Sequence, residues 1–555
     1  MLFSTDFETT TDPADCRVWA FGICEIGNPD NFQYGNTIDG FMRWCQEMVN
    51  PTCYFHNLKF DGEFILHWLF ENGFKWVENR KDLDTKTFTT LISDKGQFYS
   101  MEICFFRQGK ERIQTTIYDS LKILPFSVAE VAKGFNLPLS KLELDYDSIR
   151  EYGHELTPHE IEYLKADVEI MARALHILFE QGLNKMTQGS NALANYKETV
   201  GKKNFGKWFP PPAYDHDIRQ SYKGGFTYCD PRWKGLDIGE GIVLDVNSLY
   251  PSVMYYRPLP YGEGIFFKGK YESDKIYNLY VQMFTCQFEL KENHIPTIQL
   301  KNNLSFIPTE YLSSSDGEDV TLCLTSVDLE LFFEHYDVYN IEYHSGWKFK
   351  STIGLFKDYI DYWNKVKMES TLNGNKAMRT LAKLMLNALY GKFALNPRVQ
   401  GKFPVYENGL VKYKLLPEET REPIYIPVGT FITAWARYKT ITSAQKVYDR
   451  FLYADTDSLH LIGTELPEGL EIDPVKLGAW KHESTFTRAR FLRQKSYIEE
   501  IDGKLNITCA GMPERCYQYV TWDNFREGMR YSGKLQMQHV TGGIVLKDID
   551  FTIKR

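Results

Sequence analysis

Residues 450–463 read RFLYADTDSLHLIG, in which Asp455 and Asp457 stand one residue apart between two apolar runs. This pattern predicts two short buried strands joined by a tight turn, with the acids at the tip. Residues two apart on extended backbone face the same side. Two carboxylates about 4 Å apart repel each other by roughly 4 kcal/mol at an effective dielectric near 20, so a bound cation is the simplest partner. The chain has five Asp-x-Asp triplets, and only 455/457 has long apolar flanks on both sides.

The composition is that of an ordinary globular protein. Its 555 residues are 43% hydrophobic and 25% charged, and this length predicts three or four domains. We expect no leader peptide and no transmembrane segment, because the sequence opens with acids and lacks a long apolar run. Ten scattered cysteines without a Cys-x-x-Cys pair indicate neither a disulfide framework nor a zinc site. The composition therefore favours a reducing cytoplasm.

Charge is distributed unevenly along the chain. A net charge of −9 argues mildly against binding to nucleic acid. Residues 365–402, however, carry eight basic residues and one acidic residue, whereas residues 305–340 carry eight acidic residues and no Lys or Arg. A concentrated basic element in an acidic protein can still bind a polyanion.

Local patterns predict several elements of secondary structure. They are a helix over about 158–181, a strand over 241–254, a helix over about 375–393 ending near Gly391, and a hairpin over 402–416 around Asn408-Gly409. Residues 257–354 are acidic and predicted to be irregular. An isolated hairpin is only marginally stable, so we expect the hairpin at 402–416 to pack against other parts of the protein.

A second group of acids comes from three segments. MLFSTDFETT at 1–10, YFHNLKFDGEF at 54–64 and YLKAD at 163–167 supply Asp6, Glu8, Asn57, Asp61, Tyr163 and Asp167. A strand places Asp6 and Glu8 on one face, and helical spacing places Tyr163 beside Asp167. Four carboxylates on rigid elements can hold two divalent metals about 3.5–4 Å apart, as hydrolysis of a phosphodiester requires. Each segment alone is typical of a surface acid or a cap, but the whole set favours a metal site.

The order Asp-x-Glu, Asn-x-x-x-Asp, Tyr-x-x-x-Asp resembles the 3′–5′ proofreading exonuclease domain of family-B DNA polymerases. The resemblance implies that Asp6, Glu8, Asp61 and Asp167 bind metal and that Tyr163 assists catalysis. It also implies that Lys141, in LSKLELDY, lies near the scissile phosphate and that Glu143 is an outer metal contact. The implied contacts to single-stranded DNA are Asn57, Ser120 and Leu121, the last two in YDSL.

The same family has a polymerase site built from Y-x-D-T-D-S and D-x-x-S-L-Y-P segments, and DVNSLYP supplies Asp245 here. The resemblance implies that Asp245 and Asp457 bind two Mg²⁺ ions, for which Mn²⁺ can substitute. Asp455 would assist, and the Val246 carbonyl would complete a coordination shell. Hard oxygen ligands suit Mg²⁺, and two such ions serve phosphoryl transfer from a triphosphate.

A basic helix provides the counterpart of these acids. One polar stripe, which alone is typical of a solvated face, contains Lys376, Arg379, Lys383, Asn387 and Tyr390. The segment KLMLNALYGKF resembles the fingers motif of the family, which implies that this stripe binds the incoming deoxynucleoside triphosphate, with Arg379 and Lys383 gripping its phosphates. A further phosphate contact is either Lys367 or Lys376.

Smaller signals complete the polymerase set. They are the linker motif YKGG (Tyr222, Gly224, Gly225), the template-contacting motif TAWAR (Thr433 to Arg437) and the primer-gripping pair Lys495 and Tyr497 in KSY. We expect Lys495 and Tyr497 to share a strand face. Tyr250, five residues after Asp245, is expected to pack under the sugar and exclude a 2′-hydroxyl, or else to be a core residue.

The resemblance runs end to end and is closest to the protein-primed polymerases of small tailed phages, the phi-twenty-nine type. It implies a multidomain α/β and α+β fold with an RNase-H-like exonuclease domain followed by a right-hand polymerase. The implied domains are exonuclease 1–187, palm 188–256 and 425–509, fingers 355–394, thumb 510–555, and terminal-protein-region insertions 257–354 and 395–424. The hairpin at 402–416 is expected to lie beside the thumb, close a ring around DNA and confer strand displacement.

The implied partners are primer–template DNA, single-stranded DNA, dNTPs and a terminal protein that supplies the priming hydroxyl. The chain is expected in the host cytoplasm, away from membranes, as a monomer or as a heterodimer with terminal protein. A linear-plasmid polymerase is an alternative within the family. An exonuclease with an inactive polymerase half is disfavoured by the intact residues Asp245, Asp455, Asp457 and Lys383. A non-catalytic DNA-binding or cation-binding protein would not need two acidic sites.

Overall fold

The N-terminal part forms a large mixed sheet with helices packed on it. A computed structural model describes residues 1–146, 148–300 and 310–554, so a short part of the predicted insertion 257–354 and the last residue of the predicted thumb lie outside it. The N-terminal elements are β1 (Leu2–Thr9), β2 (Val18–Glu25), β3 (Asn28–Gly35), α1 (Ile38–Glu47), β4 (Thr52–Phe55), α2 (Leu58–Glu71), β5 (Lys75–Trp76), β6 (Thr87–Ser93), β7 (Phe98–Gln108), β8 (Glu111–Asp119), α3 (Val128–Gly134) and α4 (Pro158–Glu180).

Strand β1 is an interior strand of this sheet, parallel to β4 and antiparallel to β2. Phe3 and Phe7 point from β1 into an apolar core, so Asp6 and Glu8 project from the opposite face. The predicted helix at 158–181 is confirmed as α4. It begins with a capping box between Thr157 and Glu160, with Pro158 in the first turn.

The middle of the chain begins with short helices and then enters a second sheet. Its elements are α5 (Gln188–Val200), α6 (Lys202–Trp208), α7 (Asp215–Arg219), β9 (Thr227–Cys229), β10 (Gly241–Val246) and α8 (Leu249–Tyr256). The predicted strand 241–254 is wrong in its second half. Ser248 takes a left-handed conformation that turns the chain, and Pro251 lies in the first turn of α8, where its missing N–H breaks no helical hydrogen bond.

Residues 257–354 contain a four-stranded antiparallel sheet, so the prediction that they are irregular is wrong. Their elements are β11 (Leu259–Lys268), β12 (Leu279–Leu290), β13 (Val320–Thr325), α9 (Ser326–His335) and β14 (Tyr336–Thr352), in the sheet order β11-β14-β12-β13. Leu259 pairs with Thr352, ninety-three positions later. Pairing over such a distance leaves no local signal in an acidic sequence.

The basic segment forms two long helices and is followed by a hairpin. The elements are α10 (Lys357–Leu372), α11 (Lys376–Ala388), α12 (Tyr390–Phe393), β15 (Arg398–Val399), β16 (Gly401–Glu407), β17 (Leu410–Leu415) and β18 (Glu419–Thr420). The helix predicted over about 375–393 is thus divided at Leu389. The predicted hairpin is confirmed, and its turn has positive φ angles of 55° at Asn408 and 77° at Gly409.

The hairpin β16–β17 joins the N-terminal sheet. Gly401 and Lys402 of β16 pair antiparallel with Ser93 and Ile92 of β6, which gives a ten-stranded sheet. Val411 of β17 is buried in the core of that sheet. The expectation that the hairpin packs against other parts of the protein is therefore confirmed.

The rest of the chain completes the second sheet and ends in a hairpin. Its elements are α13 (Ile426–Lys446), β19 (Phe451–Asp455), β20 (Ser458–Ile462), β21 (Trp480–Phe486), β22 (Arg488–Arg493), β23 (Ser496–Ile501), β24 (Lys504–Cys509), β25 (Arg530–Val540) and β26 (Gly543–Thr552). Short 3₁₀ turns lie at Arg80–Asp82, Ser120–Lys122, Tyr448–Arg450 and Glu514–Tyr519. The second sheet has the order β21-β10-β20-β19-β9.

The C-terminal hairpin β25–β26 returns to the N-terminal part of the chain. The Cys16 thiol contacts the Ile544 carbonyl at 3.4 Å, and the Gly542 N–H donates to His67 Nε2 at 3.0 Å. Ile544 and Val545 are buried in the same core as Val411. Across the described residues, no helix has both the length and the hydropathy to cross a membrane.

Candidate functional site

The first acidic site lies on β1, α2 and α4. Carboxylate oxygens of Asp6, Glu8 and Asp167 lie within 4.8 Å of one another. Among the described residues, no other three His, Cys, Asp or Glu side chains place potential metal ligands this close together. Asp61, one turn into α2, is buried, and the charges of Asp6 and Glu8 act on it. The structure therefore brings together the four acids that the sequence predicted.

The electrostatics of this site favour a cation. Burial, followed by the charge of Asp167, raises the pKa of Asp6 to about 7. Burial and the neighbouring carboxylates also raise the pKa values of Glu8 and Asp61. Asp167 Oδ1 is buried and has no hydrogen-bond partner among the described residues. An oxygen-only donor set with a free buried carboxylate oxygen fits a hard divalent ion.

Lys141 lies where the sequence predicted. Its Nζ is 3.0 Å from Asp167 Oδ2, and this lysine is the positive charge that partly offsets the repulsion among the acids. The hydroxyl of Tyr163 lies 2.8 Å from that of Tyr146. Tyr146 was missed, because nothing in its exposed, polar surroundings distinguishes it from a loop residue.

Two predicted residues of this site are placed differently. Glu143 is exposed and is not part of the carboxylate group; its backbone carbonyl contacts His159 Nε2 at 3.0 Å. Ser120 is buried, and its hydroxyl donates to the Phe55 carbonyl at 3.0 Å instead of facing solvent. The hydroxyl is satisfied inside the fold, so the predicted direct contact of Ser120 with DNA does not fit this geometry.

Asn57 and Leu121 remain close to the acids. The backbone N–H groups of both residues donate to Asp119 Oδ1, each at 3.0 Å. Asn57 has a left-handed backbone conformation and an exposed side chain, and Leu121 is half-buried. Both side chains are thus at least partly accessible to solvent.

The second acidic site is formed where β10 meets the hairpin β19–β20. Asp245 lies opposite Ser458 in the register of the sheet, and Thr456 has a φ of 59° at the hairpin tip. The Val246 N–H donates to the Asp457 carbonyl at 2.8 Å, which fixes the tip against β10. The two predicted strands and their tight turn are thus confirmed.

Asp245 and Asp457 act on each other as like charges. Burial, followed by the charge of Asp457, raises the pKa of Asp245 to about 6, and Lys481 opposes this shift. Burial likewise raises the pKa of Asp457, with Asp455 adding to the effect. Both carboxylates are half-buried, and the repulsion between them is relieved when a cation binds.

Asp455 differs from the other two acids because a lysine lies within hydrogen-bond distance of it. Lys495 Nζ lies 3.0 Å from Asp455 Oδ2, and the Thr227 hydroxyl donates to Asp455 Oδ1 at 2.9 Å. The expectation that Lys495 and Tyr497 share a strand face is wrong. Lys495 lies in a turn with a φ of 54°, before β23 begins, while the Tyr497 ring packs 5.0 Å from that of Tyr453.

Lys481 is a residue of this site that the sequence analysis missed. It lies on β21, opposite Asp245, and its Nζ is 3.8 Å from Asp245 Oδ1 and 2.9 Å from Glu483 Oε2. The segment WKHESTF resembles no motif used above. Five consecutive polar residues stand between Trp480 and Phe486, so the segment has no strand periodicity and gives no sign of its neighbouring strand.

Three of the predicted triphosphate ligands form a cationic cluster near the acids. Burial, followed by the charges of Lys383 and Arg379, lowers the pKa of Lys367. Burial and the charge of Arg379 also lower the pKa of Lys383. Lys376 is exposed at the first position of α11, so the geometry favours Lys367 over Lys376 as the further phosphate contact. Asn387 is exposed one turn beyond Lys383.

Tyr250 lies between these groups. Its ring stacks on that of Tyr390, with centroids 3.9 Å apart. Neither ring is fully buried, so the Tyr250–Tyr390 pair packs at the edge of the core and is not confined to it. This geometry suits the predicted contact with a sugar.

The YKGG segment contacts the acidic hairpin. A Cβ on Gly225 would lie 2.6 Å from Thr456 Oγ1, so this glycine permits close packing on the turn between Asp455 and Asp457. Gly224 is exposed, and a Cβ there would meet nothing within 4 Å. Tyr222 is half-buried and lies near enough to Tyr390 for their hydroxyls to interact electrostatically.

Thr433 and Arg437 are buried in α13, which does not fit the predicted contact with template. Arg437 Nη2 lies 2.7 Å from Asp328 Oδ2, and Nη1 donates to the carbonyls of Lys223 and Gly224 at 2.7 and 2.8 Å. The Thr433 hydroxyl donates to the backbone of its own helix. Arg437 is therefore placed to position the YKGG segment from inside the protein.

The sequence matches a known family over most of its length. The model of the family described as "DNA polymerase type B, organellar and viral" matches residues 45–472. The chain is 52% identical over 576 residues to the DNA polymerase of Bacillus phage Nf and 50% identical over 576 residues to that of Bacillus phage phi29. Both alignments cover 100% of this chain and 99% of the relative. Identity to the DNA polymerase of Streptococcus phage Cp-1 is 32% over 582 residues, covering 100% and 98%.

Solved structures also resemble the chain over its full length. The phi29 DNA polymerase complexed with primer-template DNA and incoming nucleotide substrates matches with a TM-score of 0.95 at 50% identity, covering 100% of both chains. The same polymerase complexed with single-stranded DNA matches with a TM-score of 0.93, also at 50% identity over 100% of both chains.

Proposed function

The chain belongs to the phi29-type phage DNA polymerases of family B, and on this premise we propose which of its residues carry out each reaction. It is a DNA-directed DNA polymerase of the protein-primed type, as the sequence predicted. The predicted fold class, an exonuclease part followed by a polymerase part in a mixed α/β and α+β protein, is likewise confirmed.

We assign nucleotide addition to the second acidic site. Asp245 and Asp457 would hold the divalent ions that polymerases of this family use, and we propose Mg²⁺ as the natural ion. Bound there, two such ions would favour the ionised primer hydroxyl and neutralise the triphosphate. Lys367, Arg379 and Lys383 would bind the phosphates as an electrostatic clamp. The Tyr250–Tyr390 pair would orient the deoxyribose and exclude a 2′-hydroxyl.

Asp455 and Lys495 have a supporting role in this assignment. The lysine contacts Asp455 directly at 3.0 Å, so we propose that Asp455 assists and that Asp245 and Asp457 hold the ions. Gly225, held by the contacts of Arg437 to its segment, would fix the turn that carries both acids.

We assign 3′–5′ degradation to the first acidic site. Asp6, Glu8, Asp61 and Asp167 would hold the ions, and Lys141 would contact the scissile phosphate. Tyr163 would position the attacking water. Asn57 and Leu121 would guide the single strand towards these groups.

The partners proposed for this chain are primer–template DNA, single-stranded DNA, dNTPs and a terminal protein, in the cytoplasm of the bacterial host. Solved structures of phi29 DNA polymerase are complexes with primer-template DNA and incoming nucleotide substrates and with single-stranded DNA, which supports the first three partners. We retain the predicted domain boundaries as proposals. The hairpin at 402–416 would remain assigned to the second insertion, although it extends the N-terminal sheet.

The observation that carries the proposal is that Lys481 acts both on Asp245 and Asp457 and on Lys367 and Lys383, so the acids and the cationic cluster adjoin one site. The test is extension of a primed circular template by this protein alone with Mg²⁺ and dNTPs. We expect products longer than one circle from the wild-type protein and none from an Asp457→Ala variant. Equal synthesis by the variant would overturn the assignment.

A further inference from the structure

Lys481 lies between the acids of this site and the cationic cluster, because its charge also helps to lower the pKa values of Lys367 and Lys383. It lies on β21, whereas the cationic cluster lies on α10 and α11. Its ammonium is bonded to Glu483 at 2.9 Å and lies 3.8 Å from Asp245 Oδ1. The ammonium also acts electrostatically on Asp457. Lys481 is therefore directed towards the carboxylates that would bind metal.

The contact is suited to being broken. The side chains of Lys481 and Asp245 are 34% and 32% exposed, so the ion pair is only partly desolvated and contributes modestly. A lysine has a flexible four-carbon stem and rotatable donors, so its ammonium can move away from one acid while keeping another. When Asp245 binds a divalent ion instead, Glu483 remains as the partner of the ammonium.

We propose that Lys481 is a resident cation of the polymerase site, which neutralises Asp245 in the metal-free protein and must be displaced when a divalent ion binds. Lys481 is thus a positioning residue that sets the divalent-ion concentration required for nucleotide addition. The inference rests on the proposed function of Asp245 and Asp457.

The test measures Mn²⁺ binding directly, because Mn²⁺ free in solution is quantified by electron paramagnetic resonance. All proteins carry Asp6→Ala and Asp61→Ala, which remove ligands of the first acidic site. We expect Lys481→Met to bind Mn²⁺ about twofold to fivefold more tightly, the range for loss of one partly exposed ion pair. Lys481→Arg keeps the charge and should bind Mn²⁺ less tightly than Lys481→Met.

The matched control is Lys476→Met. Lys476 pairs with Glu471 on the surface of the same segment and has no contact with the acids of the site. This variant should bind Mn²⁺ as the parent does. The Mn²⁺ concentration that gives half-maximal nucleotide addition should fall for Lys481→Met by the same factor as the dissociation constant, with little change in kcat.

Unchanged or weaker Mn²⁺ binding by a folded Lys481→Met protein would overturn the inference. So would a raised KM for dNTP with unchanged Mn²⁺ affinity, which would make Lys481 a phosphate ligand. Circular dichroism checks folding, and Lys481→Gln replaces the methionine variant if that protein is unfolded.

A further variant separates this inference from the proposed function. Asp245→Asn should reduce the number of Mn²⁺ ions bound. An unchanged number of bound ions would overturn the assignment of the site itself. A reduced number, together with Lys481 variants whose Mn²⁺ affinity equals that of the parent, would overturn the role of Lys481 alone.

Discussion

The rings of Tyr250 and Tyr390 stack with centroids 3.9 Å apart and planes inclined by 17°. Tyr250 belongs to α8, which directly follows the strand that carries Asp245, and Tyr390 begins α12, after the helix that carries Lys383. The Tyr250–Tyr390 pair therefore joins the acidic and the basic parts of the site. A change in this pair should affect the sugar and leave both charged groups in place.

The first prediction concerns Tyr250→Val, which removes the ring from this stack. We expect the ratio of kcat/KM for ribonucleotides over deoxynucleotides to rise about 10- to 200-fold, because a wall against the 2′-hydroxyl is lost. Single-nucleotide insertion kinetics measure the ratio. Tyr250→Phe keeps the ring and should leave the ratio unchanged. An unchanged ratio in Tyr250→Val, with normal deoxynucleotide kinetics, would show that Tyr250 is a packing residue and does not exclude the 2′-hydroxyl.

The two acidic sites should be separable. Asp457→Ala should lower nucleotide addition roughly a thousandfold or more while 3′–5′ degradation of a single strand persists, because the sites do not share ligands. The double variant Asp6→Ala, Asp61→Ala should show the reverse. Both activities are measured on end-labelled oligonucleotides. Loss of both activities in one folded variant would contradict the two-site assignment.

Replacement of residues 402–416 with a short Gly-Ser link should preserve gap filling and stop synthesis at a downstream duplex. The hairpin pairs with β6, and the Tyr413 hydroxyl donates to Glu63 at 2.8 Å, so it is braced to act as a barrier. Primer extension on gapped and on nicked templates measures the effect. Processivity should also become more sensitive to salt, because the remaining grip on DNA is mainly electrostatic.

A double variant provides the control for this deletion. Lys412→Ala with Lys414→Ala leaves the turn and the buried Val411 in place and removes two exposed charges. It should retain strand displacement at low salt. A deletion variant that copied unaided through long duplexes would rule out the barrier.

The pH dependence of stability should reveal the role of Glu160. Burial raises its pKa, but hydrogen bonds from Thr157, His154 and Arg150 lower it to about 2, against an ordinary value of 4.5. This stabilisation, up to about 3 kcal/mol, is present above pH 4.5 and is lost as the pH falls towards 2. Glu160→Gln should therefore lower the denaturation midpoint at pH 7, and its difference from wild type should shrink below pH 4.5 and nearly vanish only near pH 2. Glu162→Gln, at an exposed neighbouring position, is the control; an equal effect of both changes would contradict the prediction.

Gly225→Ala should impair nucleotide addition by displacing the acidic turn. A Cβ would lie 2.6 Å from Thr456 Oγ1, so the turn must shift, and a misplacement of about 1 Å can cost up to about a hundredfold in rate. Gly224→Ala, where a Cβ meets nothing within 4 Å, is the matched control. Adding Thr456→Gly should restore activity, since glycine tolerates the φ of 59° there. Equal activity of the two alanine variants would show that the contact has no role.

The acidic hairpin could be predicted because its information is local. Two apolar runs and a turn specify β19 and β20, and two-residue spacing places Asp455 and Asp457 together. Arg437 could not be placed in this way. Its partner Asp328 lies 109 positions earlier, in a segment predicted to be irregular. A basic residue in a motif looks the same in sequence whether it faces DNA or a buried carboxylate.

The same limit applies to Ser120 and Lys481. The partner of Ser120, the Phe55 carbonyl, and the partner of Lys481, Asp245, both come from distant strands. Strand order in a mixed sheet depends on long-range pairing, which one sequence does not reveal. Motif order therefore identified the acids of both sites, while the hydrogen-bond partners of the surrounding polar residues required the structure.

The pairing of β16 with β6 also constrains how the protein can fold as it is synthesised. About 300 residues separate Ser93 from Gly401, so at roughly 5–20 residues per second the ribosome needs about 15–60 s to supply the missing partner. During that interval the edge of β6 lies open in the nascent chain, and an open strand edge is prone to aggregation. Val545 reaches the same core later still, when almost the whole chain has been made. The N-terminal sheet begins first and is completed last, so a truncated nascent chain cannot complete it.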